Sequence, residues 1–294
     1  MATSTATRTV EAARSRAWAR RRRWLEDGAV YAFLIVGALA VGLPYIWMII
    51  TSLKPDQDIF RVGILESVVP SSIRWENYLE AWTDYPLGRW LANTLIVAAA
   101  ETTSVLITSI LAGYAFARLK FWGRDILFYC YLGAMMVPIQ VTLIPSFIIV
   151  RNLGMLNSLQ GIAVLHLVQF YGVFLMRQFM LNIPSELEDA ARIDGCSWLR
   201  VLAQIILPVS MPAVAALSIL AFTGAWNNFL WPLVVINKPD IMTIVVGLTS
   251  MKSDVTPWGQ LMAATTISAL PLTILYVTFQ RFFTQGIVMT GIKG

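Results

Sequence analysis

Polar and charged positions are scarce along most of this chain, and their placement divides it into long apolar runs. No charge falls from Ala29 to Leu53, from Ile126 to Val150, from Asn152 to Met176, from Val201 to Asn237 or from Val255 to Gln280, and Trp90 to Ala117 carries only Glu101. About 20 mostly apolar residues suffice to cross a bilayer as a helix. Val201 to Asn237 is too long for one span. Its Leu207-Pro208 and Met211-Pro212 steps predict that an incoming helix ends before a span begins near Pro212. The pattern predicts an all-α, polytopic membrane protein with six transmembrane helices.

Composition agrees. The 294 residues are 57% hydrophobic and 13% charged, against roughly 25% charge in a soluble domain. The net charge of +5 bears on orientation, because Lys and Arg collect in cytoplasmic connections. An N-terminal arm, residues 1–27, holds Arg8, Arg14, Arg16, Arg20, Arg21, Arg22 and Arg23. The second-to-third connection adds Arg118, Lys120 and Arg124, the fourth-to-fifth adds Arg177, Arg192 and Arg200, and the tail adds Arg281 and Lys293. These are 15 of the 22 cations, so both termini are expected in the cytoplasm. The arm is read as retained rather than as a cleavable signal. It suits either an amphipathic interfacial helix on anionic lipid or a basic tail that only fixes topology.

The chemistry this composition excludes is broad. The two cysteines, Cys130 and Cys196, and the single histidine, His166, offer no zinc-ligand spacing. No basic stripe interleaved with aromatics points to nucleic acid. No phosphate-binding G-x-x-x-x-G-K-[ST] loop occurs, and no nucleophile–base pair falls at one membrane depth.

Two connections are long. The first-to-second, Lys54 to Arg89, carries Trp75, Tyr78, Trp82 and Tyr85 among acids, which predicts a short interfacial helix. The fourth-to-fifth, about residues 182–210, has a defined local design. Ser185 and Glu188 have capping-box spacing, and Glu186, Glu188 and Asp189 favour a helix N-terminus. Ala190 and Ala191 permit close approach of another surface. Asp194-Gly195 is a turn or C-cap signal, and Ser197 can cap a second short helix. The segment predicts a helix–turn–helix projecting from the membrane.

The run Asp189-Ala190-Ala191, then Gly195, then Ile205, Leu207 and Pro208 resembles the EAA loop of bacterial ABC-importer permeases, with Asp189 in place of the usual Glu. Ala115-Phe116-Ala117-Arg118, Met136-Val137-Pro138, Arg177-Gln178-Phe179, Trp226 to Pro232 and the closing Lys293-Gly294 are similar to the six-helix partner subunit of the maltose-type carbohydrate family. The resemblance covers roughly residues 28–294. It implies a type I importer permease domain in the bacterial inner membrane, with no cofactor on this chain and ATP and Mg on a partner ATPase. It implies that Glu188, Asp189, Ala190, Ala191, Asp194 and Gly195 couple to that ATPase dimer. A second homologous permease and an extracytoplasmic solute-binding protein complete the assembly. Transport would proceed by alternating access, and the solute would be an oligosaccharide or glycoside. A glycerol-phosphate importer is the alternative within this class. A self-contained secondary carrier is the alternative outside it, and would be expected to show inverted repeats.

Polar groups within spans are costly and mark candidate sites. Asn93, Glu101, Gln140, Trp226, Asn227, Asn228 and Trp231 are candidates for the solute path, since amides suit hydroxyls and rings suit sugar C–H faces. Each also has a packing reading: Asn93 and Gln140 as helix cross-links, Glu101 as a bonded neutral acid, the tryptophans as interfacial anchors. His166 reads first as a packing histidine. Pro138, Pro145, Pro232 and Pro271 are expected to bend their spans.

Overall fold

The computed structural model describes residues 3–60, 69–253 and 255–291, with side chains over 24, 26–60, 69–253 and 255–280. Arg61, Lys293 and Gly294 lie outside the described residues, as do the arm's arginine side chains. Among the described residues every regular element is helical. In chain order these are α1 (Thr3–Ser52), α2 (Asp56–Ile59), α3 (Glu76–Thr83), α4 (Leu87–Arg118), α5 (Arg124–Met135), α6 (Ile139–Asn152), α7 (Leu159–Ala163, with a 3-10 turn Val164–His166), α8 (Phe170–Leu181), α9 (Glu186–Ile193) and α10 (Trp198–Val201). Then follow α11 (Met211–Trp226), α12 (Leu230–Val235), α13 (Ile244–Ser250) and α14 (Trp258–Gly291). The backbone of the arm is helical from Thr3 and continues through Gly28 into the first span without interruption.

Four stretches are long and apolar enough to cross a membrane without a sharp bend: Glu26–Ser52, Leu87–Arg118, Met211–Val235 (α11 and α12 together) and Trp258–Gln280. The other two are bent pairs: the third span bends at Pro138, as expected, and the fourth bends with no proline at the break. α5 and α6 meet at 96°, and α7 with its 3-10 turn meets α8 at 42°. The third span breaks at Pro138, which is extended at ψ 136°. Proline lacks the N–H that would continue α5 and drives its predecessor out of the helical region. The fourth breaks where Gln169 is extended, at φ −127° and ψ 128°. Pro145 and Pro271 lie inside α6 and α14, which run through them. Leu207-Pro208 does not end the incoming helix either. After α10 the chain widens into a π turn, Leu202–Ile206, and stops at Ser210, just before Met211.

α4 is the central rod, and glycines set its distance from α8. A Cβ on Gly113 would stand 2.7 Å from the Met176 Cβ, and one on Gly172 would overlap the Ser109 hydroxyl. Small residues let membrane helices approach closely where water supplies no hydrophobic drive between them. At the Arg118 end, Tyr114, Met176, Met180, Val201, Ile206 and Leu217 form one buried cluster. Near the Leu87 end Trp90, Trp226, Ile244 and Leu261 belong to another.

The Leu87 end carries a polar lobe that includes the predicted interfacial helix, α3. The Asn77 amide donates to the Ser52 and Lys54 carbonyls, each at 2.9 Å, and Ser52 shares a 2.7 Å hydrogen bond with the Tyr78 hydroxyl. Glu80 pairs with Arg74 at 2.7 Å and accepts from Gln260 of α14 at 2.9 Å. The Gln260 hydrogen bond, followed by that from Arg74, holds the Glu80 carboxyl below its ordinary 4.5. The end of α1, α3, and the starts of α4 and α14 therefore meet at one pole. The end of α4 meets the α8–α9 corner at the other, as six alternating passes require.

Candidate functional site

The α8–α10 corner is built around one arginine. Arg118, the last residue of α4, has its Nη2 donating to the Met180 carbonyl at 2.7 Å and to the Ile183 carbonyl. Met180 lies in the last turn of α8 and Ile183 two residues past its end. Its Nε stands 2.8 Å from Glu188 Oε1, an ionic contact rather than an aligned hydrogen bond. The Tyr114 hydroxyl donates to Glu188 Oε2 at 3.3 Å. Glu188 is only 5% exposed, so it does not complete the capping box that its spacing to Ser185 predicted. Ser185 is helical, at φ −68° and ψ −24°, and its side chain caps nothing. A carboxylate facing a buried guanidinium gains more from that partner than from one solvated N–H.

The far end of α9 forms as the sequence predicted. Gly195 has φ +80°, a conformation an L side chain rarely adopts. Its N–H reaches the Arg192 carbonyl at 2.9 Å, and the Cys196 N–H reaches the Ala191 carbonyl at 2.9 Å. This is a Schellman closure. Ser197, extended, precedes α10 as expected, though its side chain makes no cap. The Arg192 guanidinium lies on the Trp198 ring, 2.8 Å from its centroid, and fastens the two helices.

Of the six coupling candidates, Glu188 and Ala191 face the chain's own core, while Asp189, Ala190, Asp194 and Gly195 face outward. Beside them Ile193 is 87% exposed and Leu199 71%. The corner therefore presents an acidic, small-residue surface with apolar edges. Its inner side is clamped to α4 and α8.

The path candidates separate. Asn93 spends its amide on the Asp240 and Met242 carbonyls, at 2.9 and 3.0 Å. Trp90 donates to Pro239 and the Ile244 N–H to Thr94, so α4 grips the return loop there. Trp226 is buried and stacked on Phe222. The Asn227 amide bonds back to Thr223, and Asn228 is half-buried. Gln140 is exposed just beyond the third-span break.

Glu101 instead stands beside His166, which shares the lining of one recess with Trp231, a grouping that 65 residues of separation conceal in the sequence. Glu101 is 1% exposed, with Oε1 3.8 Å from His166 Nδ1. His166, Gln169, Tyr171, Thr142, Ser146 and Trp231 line a mostly apolar recess of about 540 Å³ between the two broken spans. The lone mid-span acid and the lone histidine were the available signal.

Among the described residues no three His, Cys, Asp or Glu side chains stand together to hold a metal ion. Cys130 and Cys196 are both free thiols.

Comparison with known proteins places this architecture. Residues 105–289 match the profile described as "binding-protein-dependent transport system inner membrane component". The arabinooligosaccharides transport system permease protein AraQ of Halalkalibacterium halodurans is 33% identical over 267 residues, covering 89% of this chain and 94% of that one. The sn-glycerol-3-phosphate transport system permease protein UgpE of Pectobacterium atrosepticum is 32% identical over 267 residues, covering 88% and 94%. The fold is similar to a crystal structure of a bacterial ABC transporter that imports the acidic polysaccharide alginate: TM-score 0.77, 24% identity, 87% of this chain and 96% of that one. A second alginate transporter structure, in complex with an alginate pentasaccharide-bound periplasmic protein, matches at TM-score 0.62 and 12% identity over 88% and 93%. The chain belongs to the binding-protein-dependent inner membrane components, the multi-pass permease subunits of bacterial ABC importers.

Proposed function

We propose that this chain is one of two related permeases in a carbohydrate importer. The Leu87 end faces outward, toward a solute-binding protein, and the α9–α10 corner and both termini face the cytoplasm. The permease domain spans residues 28–294, and residues 1–27 form a basic cytoplasmic arm. ATP and Mg act on a partner ATPase dimer that docks on Asp189, Ala190, Asp194 and Gly195. Closure of that dimer moves the corner, and the Arg118–Glu188 contact carries the motion to α4 and α8. The spans then exchange inward-open and outward-open arrangements.

The observation that carries this reading is the corner itself. It is closed by Gly195, apolar at its exposed edges and clamped from behind to two spans. Such a lever is suited to a partner's motion and serves no purpose in a carrier that works alone. Carbohydrate is favoured over glycerol phosphate by the recess. Its lining offers imidazole, amide, hydroxyl and ring groups, with neither Lys nor Arg to hold a phosphate.

Reconstitution of the chain with its partners in liposomes, followed by ATP-dependent uptake of labelled arabino-oligosaccharide and of sn-glycerol-3-phosphate, tests the assignment. Uptake of the oligosaccharide supports it. Uptake of the phosphate ester alone replaces carbohydrate with the second reading.

A further inference from the structure

We infer that His166 is this subunit's own solute contact, reading sugar hydroxyls from the recess between the broken third and fourth spans, with Glu101 as its positioning residue. The inference rests on the carbohydrate reading above and adds a site to it.

Depth is the first ground. Glu101 lies near the middle of α4, about 21 Å from its Leu87 end and about 26 Å from its Arg118 end at 1.5 Å per residue. A solute in transit must pass this level, and transporter sites are found near the midplane where helices are discontinuous. Both broken spans border the recess. Val137 and Ile139 flank the 96° break, and Val168 and Gln169 flank the 42° break. Irregular backbone at membrane depth is tolerated where it lines a cavity. The second break is pinned to α4, because the Ser104 hydroxyl donates to the Leu167 carbonyl at 2.8 Å.

Chemistry is the second ground. At about 540 Å³ the recess falls in the 300–1,000 Å³ range of small-molecule sites, and it is mainly apolar with a few polar groups, as such sites are. The Trp231 and Tyr171 rings suit C–H faces. His166, Gln169 and Ser146 suit hydroxyls.

The third ground is Glu101. Neither of its oxygens has a hydrogen-bond partner among the described residues, and leaving a buried carboxyl so is costly. His166 Nδ1, at 3.8 Å, stands just beyond bonding reach, with the Ile162 carbonyl as the imidazole's other neighbour. A small turn of the ring closes the contact. Giving Nδ1 to the carboxyl fixes the tautomer and leaves Nε2 to the solute, the arrangement by which a carboxylate orients a functional histidine.

The test uses the reconstituted transporter with its binding protein and labelled arabino-oligosaccharide. His166→Ala is expected to raise the KM for uptake about tenfold or more while the chain assembles with its partners at wild-type yield. His166→Gln, which keeps a polar group at similar reach, recovers part of the loss, and Glu101→Gln falls between. As a readout independent of transport, Thr142→Cys in a Cys130→Ala, Cys196→Ala background is labelled with a small thiol reagent, and the oligosaccharide is expected to slow labelling at least fivefold. KM within twofold of wild type in both His166 variants, with labelling unaffected by the sugar, overturns the inference while leaving the importer reading intact. A wild-type complex that moves no carbohydrate fails the reading on which it rests.

Discussion

Arg118 and Glu188, 70 residues apart, meet at 2.8 Å behind the exposed corner, with side chains 12% and 7% exposed. One guanidinium thus ties the end of α4 to the chain leaving α8 and to α9. Removing one member of a buried pair leaves the other charge uncompensated, at a cost of about 3–5 kcal/mol. Arg118→Ala is expected to lower the complex's Tm in mild detergent markedly. Arg118→Lys keeps the charge but loses the fork that reaches two carbonyls and a carboxylate. It is expected to assemble yet hydrolyse more ATP per solute moved. An unchanged ratio would show that the clamp is not part of transmission.

Gly195 separates backbone strain from docking. Nothing lies within 4 Å of a Cβ built there, so Gly195→Ala meets only the left-handed backbone, a cost of about 1–2 kcal/mol. Modest loss of uptake is expected. Gly195→Trp adds bulk on the outward face and is expected to abolish coupled uptake while the chain still inserts. Normal uptake by the tryptophan variant would remove the bend from the docking surface.

The α4–α8 contact should not tolerate volume. Gly172→Val places branched carbon against Ser109, and Gly113→Leu places it against Met176. Overpacking costs about 1–3 kcal/mol. Both variants are expected to show lower yield and lower Tm than Gly224→Ala, whose added carbon meets nothing within 4 Å.

The lobe around Glu80 should loosen in acid. Its carboxyl titrates below the ordinary 4.5 because Gln260 and Arg74 hold the charged form. Its contribution is therefore fully present above 4.5 and is lost as pH falls below that value. Amide exchange in α3 is expected to accelerate across that window, and Glu80→Gln is expected to flatten the dependence. The group is partly exposed, so the effect is small and should shrink further in high salt.

The spans were legible because the bilayer demands long charge-free helices. The Gly195 turn was legible because its chemistry is local. The breaks were less so. Pro138 and Pro145 look alike in the sequence, yet one divides the span and the other lies inside α6. Glu188 shows the same limit. Its spacing to Ser185 fits a cap, but a guanidinium 70 positions away outweighs one helix N–H. Asn93, read as a possible solute contact, is committed to the 239–242 loop. Glu101 and His166 became a candidate site only when the packing of α7 and its 3-10 turn on α4 set them side by side.

The central claim is that this permease works only with partners. The most direct measurement is mild-detergent purification of the tagged chain from its native membrane, with the co-purifying proteins identified by mass. The account predicts a P-loop ATPase and a second polytopic permease in stoichiometric amounts. The chain recovered alone, or only with copies of itself, would contradict it.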